Sequence, residues 1–243
     1  MMTAISENPV FCALDTVDLA AAERLAGEVA GSVGGLKVGK EFFTAHGPQG
    51  VRRVVAGRLP LFLDLKFHDI PNTVAGGVRA AVGAVAPFMM TVHAAGGRAM
   101  LKAAADAAET AAAEAGTPKP LTLGVTVLTS LDQADLQDIG VSGTVRDQVR
   151  RLADLAQASG LDGVVCSPHE IETLRADRGP SFKLVVPGIR PASAAGDDQK
   201  RVMTPADAVA LGADYLVIGR PITAAGDPAA AARAIDAEIG RAA

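Results

Sequence analysis

Asp64, Lys66 and Asp69 stand in the stretch FLDLKFHDIPNT, residues 62–73, where Phe62, Leu63, Leu65 and Phe67 otherwise describe a buried strand. Residues i and i+2 of a strand share a face, so Asp64 and Lys66 point into one interior. Taking a carboxylate and an ammonium out of water costs several kcal/mol per ion, and their attraction offsets it only in good geometry. A chain selected for stability alone would carry Val or Ile there. The chemistry this arrangement suits is proton donation by a held ammonium. Asp15, at the end of FCALD, and Lys37, in GGLKVG, are further charges in apolar runs. Two acids and two bases alternating in sign can satisfy one another while keeping Lys66 charged.

Such a set needs a scaffold that brings separate runs together. Apolar or β-branched runs recur eight times, as PVFCALD, GGLKVG, LPLFLDLKFHD, PFMMTVHAAG, PLTLGVTVLTS, LDGVVCSP, FKLVVPGIR and DYLVIGRPIT. Between them lie stretches such as DLAAAERLAGEVAG and TVRDQVRRLADLAQASG, with helical spacing and a closing Gly. Strands alternating with helices imply a parallel sheet covered by helices. Eight such units in 243 residues predict an α/β fold, a closed (β/α)8 TIM barrel forming a single domain over residues 1–243. The charges then sit toward C-terminal strand ends, where this barrel builds active sites. The longest polar loops, DQADLQDIGVSGTVR and RPASAAGDDQKR, both follow strands. Arg220 follows Gly219 after the eighth strand, and the loops after strands seven and eight are this barrel's usual phosphate site. Arg supplies a planar fork of donors, and Gly lets the backbone approach phosphate oxygens.

Composition narrows the classes. Hydrophobic residues at 49% and charged residues at 21% suit a globular chain, and a net charge of -4 gives no electrostatic case for nucleic acid. The longest apolar run, around Ala80 to Val92, is too short for a bilayer and contains Pro87, so no membrane partner is expected. No basic segment leading into an apolar stretch opens the chain, which reads as cytoplasmic. Cys12 and Cys166 lie in separate apolar runs and read as buried thiols. Gly34 to Lys40 has phosphate-loop spacing, but Glu41 replaces the Ser or Thr that would hold magnesium, and the segment reads as strand. His68 and His93 lie near strand ends without metal-ligand spacing, so no metal site is expected.

The run DLKFHDIPNT, residues 64–73, resembles the motif of the orotidine 5'-phosphate decarboxylase family. FCALD, LKVGKEFF, VTVLTS, VVPGIRP and YLVIGRPIT are similar to that family's segments, in its order. The resemblance implies a cofactor-free decarboxylase converting orotidine 5'-phosphate to uridine 5'-phosphate in pyrimidine synthesis, as a homodimer with shared active sites. It implies that Lys66 protonates the base carbon and that Asp64 lies against the departing carboxylate. Lys37 and Asp15 would hold the ribose hydroxyls, and Asp69 and Thr73 would complete the neighbouring subunit's site. Thr129 and Ser130, expected to end strand five, would contact pyrimidine and ribose. Arg190, Gln199 and Arg220 would close on the phosphate, with Pro187, Gly188 and Gly219 shaping the loops. The rivals are a magnesium-dependent sugar-phosphate synthase or decarboxylase of the same superfamily, which shares Asp-x-Lys-x-x-Asp but lacks Ile-Pro-Asn-Thr, and a catalytically silent nucleotide-binding barrel.

Overall fold

Each apolar run becomes one strand: β1 Val10–Leu14, β2 Gly35–Gly39, β3 Leu61–Phe67, β4 Met89–His93, β5 Leu121–Val125, β6 Gly163–Val165, β7 Lys183–Pro187 and β8 Tyr215–Ile218. The strands pair in parallel in sequence order and β8 returns to β1, closing an eight-stranded barrel with helices between the strands. The computed structural model describes residues 8–57, 59–191 and 203–240.

The two-residue period of a strand decides what each face meets. On β1, Val10, Cys12 and Leu14 join the apolar layer between strands and helices, while Phe11 and Ala13 belong to the barrel interior. On β3, Leu61 and Leu63 face the helices and Phe62 faces inward. The same parity carries Asp64 and Lys66 inward, above Phe62. Below them, Phe11 stacks on Phe88 at 5.9 Å between centroids and meets the rings of Phe62 and Tyr215 edge-on at 6.3 and 5.6 Å. Full burial of such a side chain contributes roughly 1.5 to 3 kcal/mol. Gly35 makes room for this floor, since a Cβ there would lie 2.2 Å from the Phe11 ring.

The helices follow their end signals. Asp18 caps α1, Leu19–Val29, accepting the Ala21 N–H at 3.0 Å. That leaves Asp15 free of capping duty. Helix α2, Lys40–Val55, bends at Gly47, just before Pro48. Helix α3, Pro71–Val85, starts with Pro, whose fixed φ suits a first turn. The alanine-rich run forms α4, Gly97–Ala115, with Ala104, Ala108 and Ala112 buried against the barrel. The polar stretch expected as a loop, residues 132–146, is not all irregular. Asp132 builds a capping box with Asp135 and starts a short helix α5, Gln133–Asp138. Thr144 and Asp147 form another at the start of α6, Val145–Ala158. Among the described residues no helix is long and apolar enough to cross a membrane.

Candidate active site

Four charges meet at the top of the barrel interior. Lys66 Nζ lies 2.7 Å from Asp64 Oδ2, Lys37 Nζ lies 3.7 Å from the same oxygen, and Lys37 Nζ donates to Asp15 Oδ1 at 3.3 Å. The result is a chain, Asp15–Lys37–Asp64–Lys66, supplied by the residue after β1 and by the next two strands, β2 and β3. The Asp64 and Lys37 side chains are only 12% and 11% exposed, so water screens their attraction weakly. Lys66 is more open at 25%, and faces the cavity.

The backbone of β3 is bent to make this contact. Among the described residues, Lys66 is one of three with positive φ that are not glycine, and the other two, Ala56 and Ala86, are helix caps. At φ +53 it holds a left-handed conformation inside a strand, which costs about 1 to 3 kcal/mol and persists only where its surroundings enforce it. The β3–β4 register breaks at the same place: Leu63 pairs with Met90 and Phe67 with Val92, so three residues of β3 face one of β4. That one is Thr91. Its Oγ1 accepts the Lys66 backbone N–H at 2.9 Å and donates to Asp64 Oδ1 at 2.9 Å. Sequence reasoning missed Thr91, because a threonine in a strand reads as ordinary β propensity.

Above the charges opens a cavity of about 680 Å³, within the range of ligand sites. Asp15, Lys37, Asp64, Lys66, Thr129, Pro187, Gly188, Arg190, Gly219 and Arg220 all line it. Its apolar wall, including Phe62, Val125, Val165 and Val217, was not singled out in the sequence, where these residues read only as strand core. Arg220 begins a short helix, Arg220–Thr223, directly after Gly219. Three expected site residues lie elsewhere on this chain. Strand β5 ends at Val125, so Thr129 and Ser130 belong to the turn beyond it, and Ser130 is exposed without lining the cavity. Asp69 and Thr73 are exposed and also outside the cavity, with Asp69 Oδ1 accepting the Ile70 N–H at 2.6 Å. Gln199 falls outside the described residues.

Burial and neighbouring charges shift two thiols and one histidine near the site. Burial pushes the Cys12 thiol up to about 12, with Asp15 adding to the shift and Lys37 opposing it. Burial first, then Glu170, also raises Cys166, so this cavity-lining thiol stays protonated and is no nucleophile. Burial, then His68 at a ring distance of 5.3 Å, then Lys40 and Lys66, lower His93, which is neutral at pH 7. Among the described residues no group of three or more His, Cys, Asp and Glu side chains could hold a metal ion.

What decides the lineage is similarity along the whole barrel. The family model of orotidine 5'-phosphate decarboxylase / HUMPS matches residues 8–235. The chain belongs to this family. Orotidine 5'-phosphate decarboxylase from Rhodospirillum rubrum is 56% identical over 239 residues, covering 98% of this chain and 96% of that one. Its counterpart from Paramagnetospirillum magneticum is 56% identical over 233 residues, covering 96% and 99%. The crystal structure of orotidine 5'-phosphate decarboxylase from Lactobacillus acidophilus superposes with a TM-score of 0.82 at 38% identity, over 95% of this chain and 98% of that one. The family's barrel is thus present end to end, and the four charges stand inside it.

Proposed function

We propose that Lys66 is the proton donor and Asp64 its electrostatic partner in the decarboxylation of orotidine 5'-phosphate to uridine 5'-phosphate and carbon dioxide, a carboxy-lyase step of pyrimidine synthesis. The observation that carries the assignment is the Lys37–Asp64–Lys66 chain on one side of a cavity that Arg220 also lines. With phosphate at Arg220 and the base toward Lys66, the substrate carboxylate comes to rest against Asp64. The two negative charges repel, and the repulsion is relieved as the carboxylate becomes neutral carbon dioxide. The carbon–carbon bond breaks, its electron pair stays on the base carbon, and the Lys66 ammonium gives that carbon a proton. The neutral amine then takes a proton from water.

Charge stabilisation by Lys66 is the better-founded source of rate, since ground-state destabilisation is the weaker of the two to derive from a static site. At the effective dielectric of a partly buried site, unit charges about 4 Å apart interact by about 4 kcal/mol. An ammonium fixed where the carbanion develops is therefore worth roughly three decades in rate, because it meets charge that the ground state lacks at that atom. Lys37, between Asp15 and Asp64, anchors the ribose hydroxyls and holds Asp64 in place.

Asp69 and Thr73 complete the reading as residues of a shared site in a homodimer. Both are exposed at the start of α3 beside Ile70, itself 67% exposed, and neither lines its own cavity. We assign the enzyme to the cytoplasm and read residues 1–243 as one catalytic domain. The test is to mix the purified, chelator-treated protein with orotidine 5'-phosphate and follow ultraviolet absorbance as the conjugated carboxylate is lost. Steady turnover is expected. Tight binding without turnover would replace the decarboxylase with a silent nucleotide-binding barrel.

A further inference from the structure

We propose that Thr91 is the positioning residue that sets the catalytic pair, acting through its hydroxyl on both Lys66 and Asp64 at once. This rests on the roles given to Lys66 and Asp64 above. Thr91 is completely buried on β4, at an inward position, yet it does not line the cavity. It therefore touches no substrate and works only through its neighbours.

The hydroxyl has one proton and two lone pairs, and both kinds of bonding capacity are committed. The proton goes to Asp64 Oδ1, and a lone pair receives the Lys66 N–H. Each bond fixes a different degree of freedom. The bond to Oδ1 sets the rotation of the carboxylate, leaving Oδ2 turned to both ammonium groups. The bond to the Lys66 N–H replaces the ladder partner lost where the β3–β4 register breaks, and so supports the left-handed backbone. A regular strand would point both side chains inward, one two-residue step apart along β3. The left-handed turn instead folds the Lys66 ammonium back onto Asp64 Oδ2 at 2.7 Å. Branching at Cβ restricts the Thr91 rotamer, so the hydroxyl stays aimed. A methyl group in its place can neither accept nor donate, and misplacing a reacting group by about 1 Å can cost a hundredfold in rate.

Thr91→Val keeps the shape and removes the hydroxyl, while Thr91→Ser keeps the hydroxyl. Thr122 offers a control: it is equally buried on the adjacent β5, and its hydroxyl has no hydrogen-bond partner among the described residues. With orotidine 5'-phosphate as substrate, Thr91→Val is expected to lower kcat at least tenfold with KM within threefold of wild type. Thr91→Ser should recover most of kcat, and Thr122→Val should leave it within threefold. Should Thr91→Val fail to fold, Thr91→Cys, whose thiol bonds weakly, takes its place under the same tenfold criterion. A smaller loss of kcat, a loss carried by KM, or an equal loss in Thr91→Ser would overturn the proposal. Lys66→Ala, assayed in parallel, separates the two levels. If it is inactive while Thr91→Val turns over normally, only the role of Thr91 falls; if Lys66→Ala stays active, the assignment of the pair falls first.

Discussion

Lys66 and Asp64 are separated by one residue in sequence, and their side chains meet at 2.7 Å because the backbone between β3 and β4 is out of register. A contact between strand neighbours on one face is normally a loose one, set by side-chain rotamers. This one is fixed by the fold. The site therefore holds its ammonium ready before any nucleotide arrives, and preorganisation of that kind lowers a barrier without being undone during the reaction.

Lys66→Ala removes the proton donor and leaves Asp64 facing the substrate carboxylate with Lys37 alone. Turnover should fall beyond the hundredfold to ten-thousandfold, in round figures, that general acid catalysis contributes. Circular dichroism should report an intact barrel. Retention of more than about a tenth of wild-type turnover would falsify the assignment of Lys66 as proton donor.

Mixing two inactive variants tests the shared site. Lys66→Ala and Asp69→Ala chains that exchange subunits should form heterodimers in which one site carries both native residues, and activity should reappear. Exchange without recovery would place Asp69 in its own chain's site.

Arg220→Ala should reduce kcat/KM by on the order of 2 to 4 kcal/mol, the loss of a charge-assisted contact plus an under-satisfied phosphate. Orotidine lacking its phosphate supplies the control, because its slow turnover should be almost indifferent to the change. An equal drop on both substrates would withdraw the phosphate role from Arg220.

Gly35→Ala pushes a methyl group into the ring of Phe11, which has Phe88, Phe62 and Tyr215 around it. Overpacking of this kind costs roughly 1 to 3 kcal/mol. At about 2 to 4 °C per kcal/mol for a chain of this length, Tm should drop by several degrees. Gly31→Ala, where a Cβ meets nothing within 4 Å, should leave Tm nearly unchanged. Equal melting of both variants would mean that the aromatic floor yields easily.

Cys12 ionises near 9.0 when unfolded and near 12 when folded. Between those values the folded chain binds the extra proton, so this thiol's contribution to stability is full below pH 9.0 and is lost as pH rises toward 12. Native protein at pH 8 should not react at Cys12 with a thiol reagent, and denatured protein should react at once. Rapid labelling of Cys12 in the native state would contradict its burial.

The barrel was legible because its strands repeat one pattern eight times, and Asp15, Lys37, Asp64 and Lys66 were legible because charge inside an apolar run is costly. What escaped was whatever depends on a partner distant in sequence. Nothing in LFLDLKF announces a left-handed lysine, and nothing in MMTVH marks Thr91 as the residue that holds it, since the cause is a register between two strands. The extent of the turn after β5 escaped for a related reason. The run VTVL, residues 125–128, reads as continuing strand, but β5 ends at Val125, so Thr129 and Ser130 lie in the turn beyond it and only Thr129 lines the cavity. In the polar stretch that follows, read in the sequence only as a loop, the reciprocal bonds of the Asp132–Asp135 capping box convert part of it into α5.

The aromatic floor also governs traffic. Phe11, Phe62, Phe88 and Tyr215 pack against one another and stop the barrel from below, so the site has no way out through its floor. On the reaction proposed for Asp64 and Lys66, the gas would be released beside them, beneath the nucleotide from which it came. With the floor closed, it would have to leave on the nucleotide's side of the barrel. Escape of carbon dioxide would then compete with its recapture by the carbanion, and prompt protonation by Lys66, in its proposed role, would make the forward step irreversible.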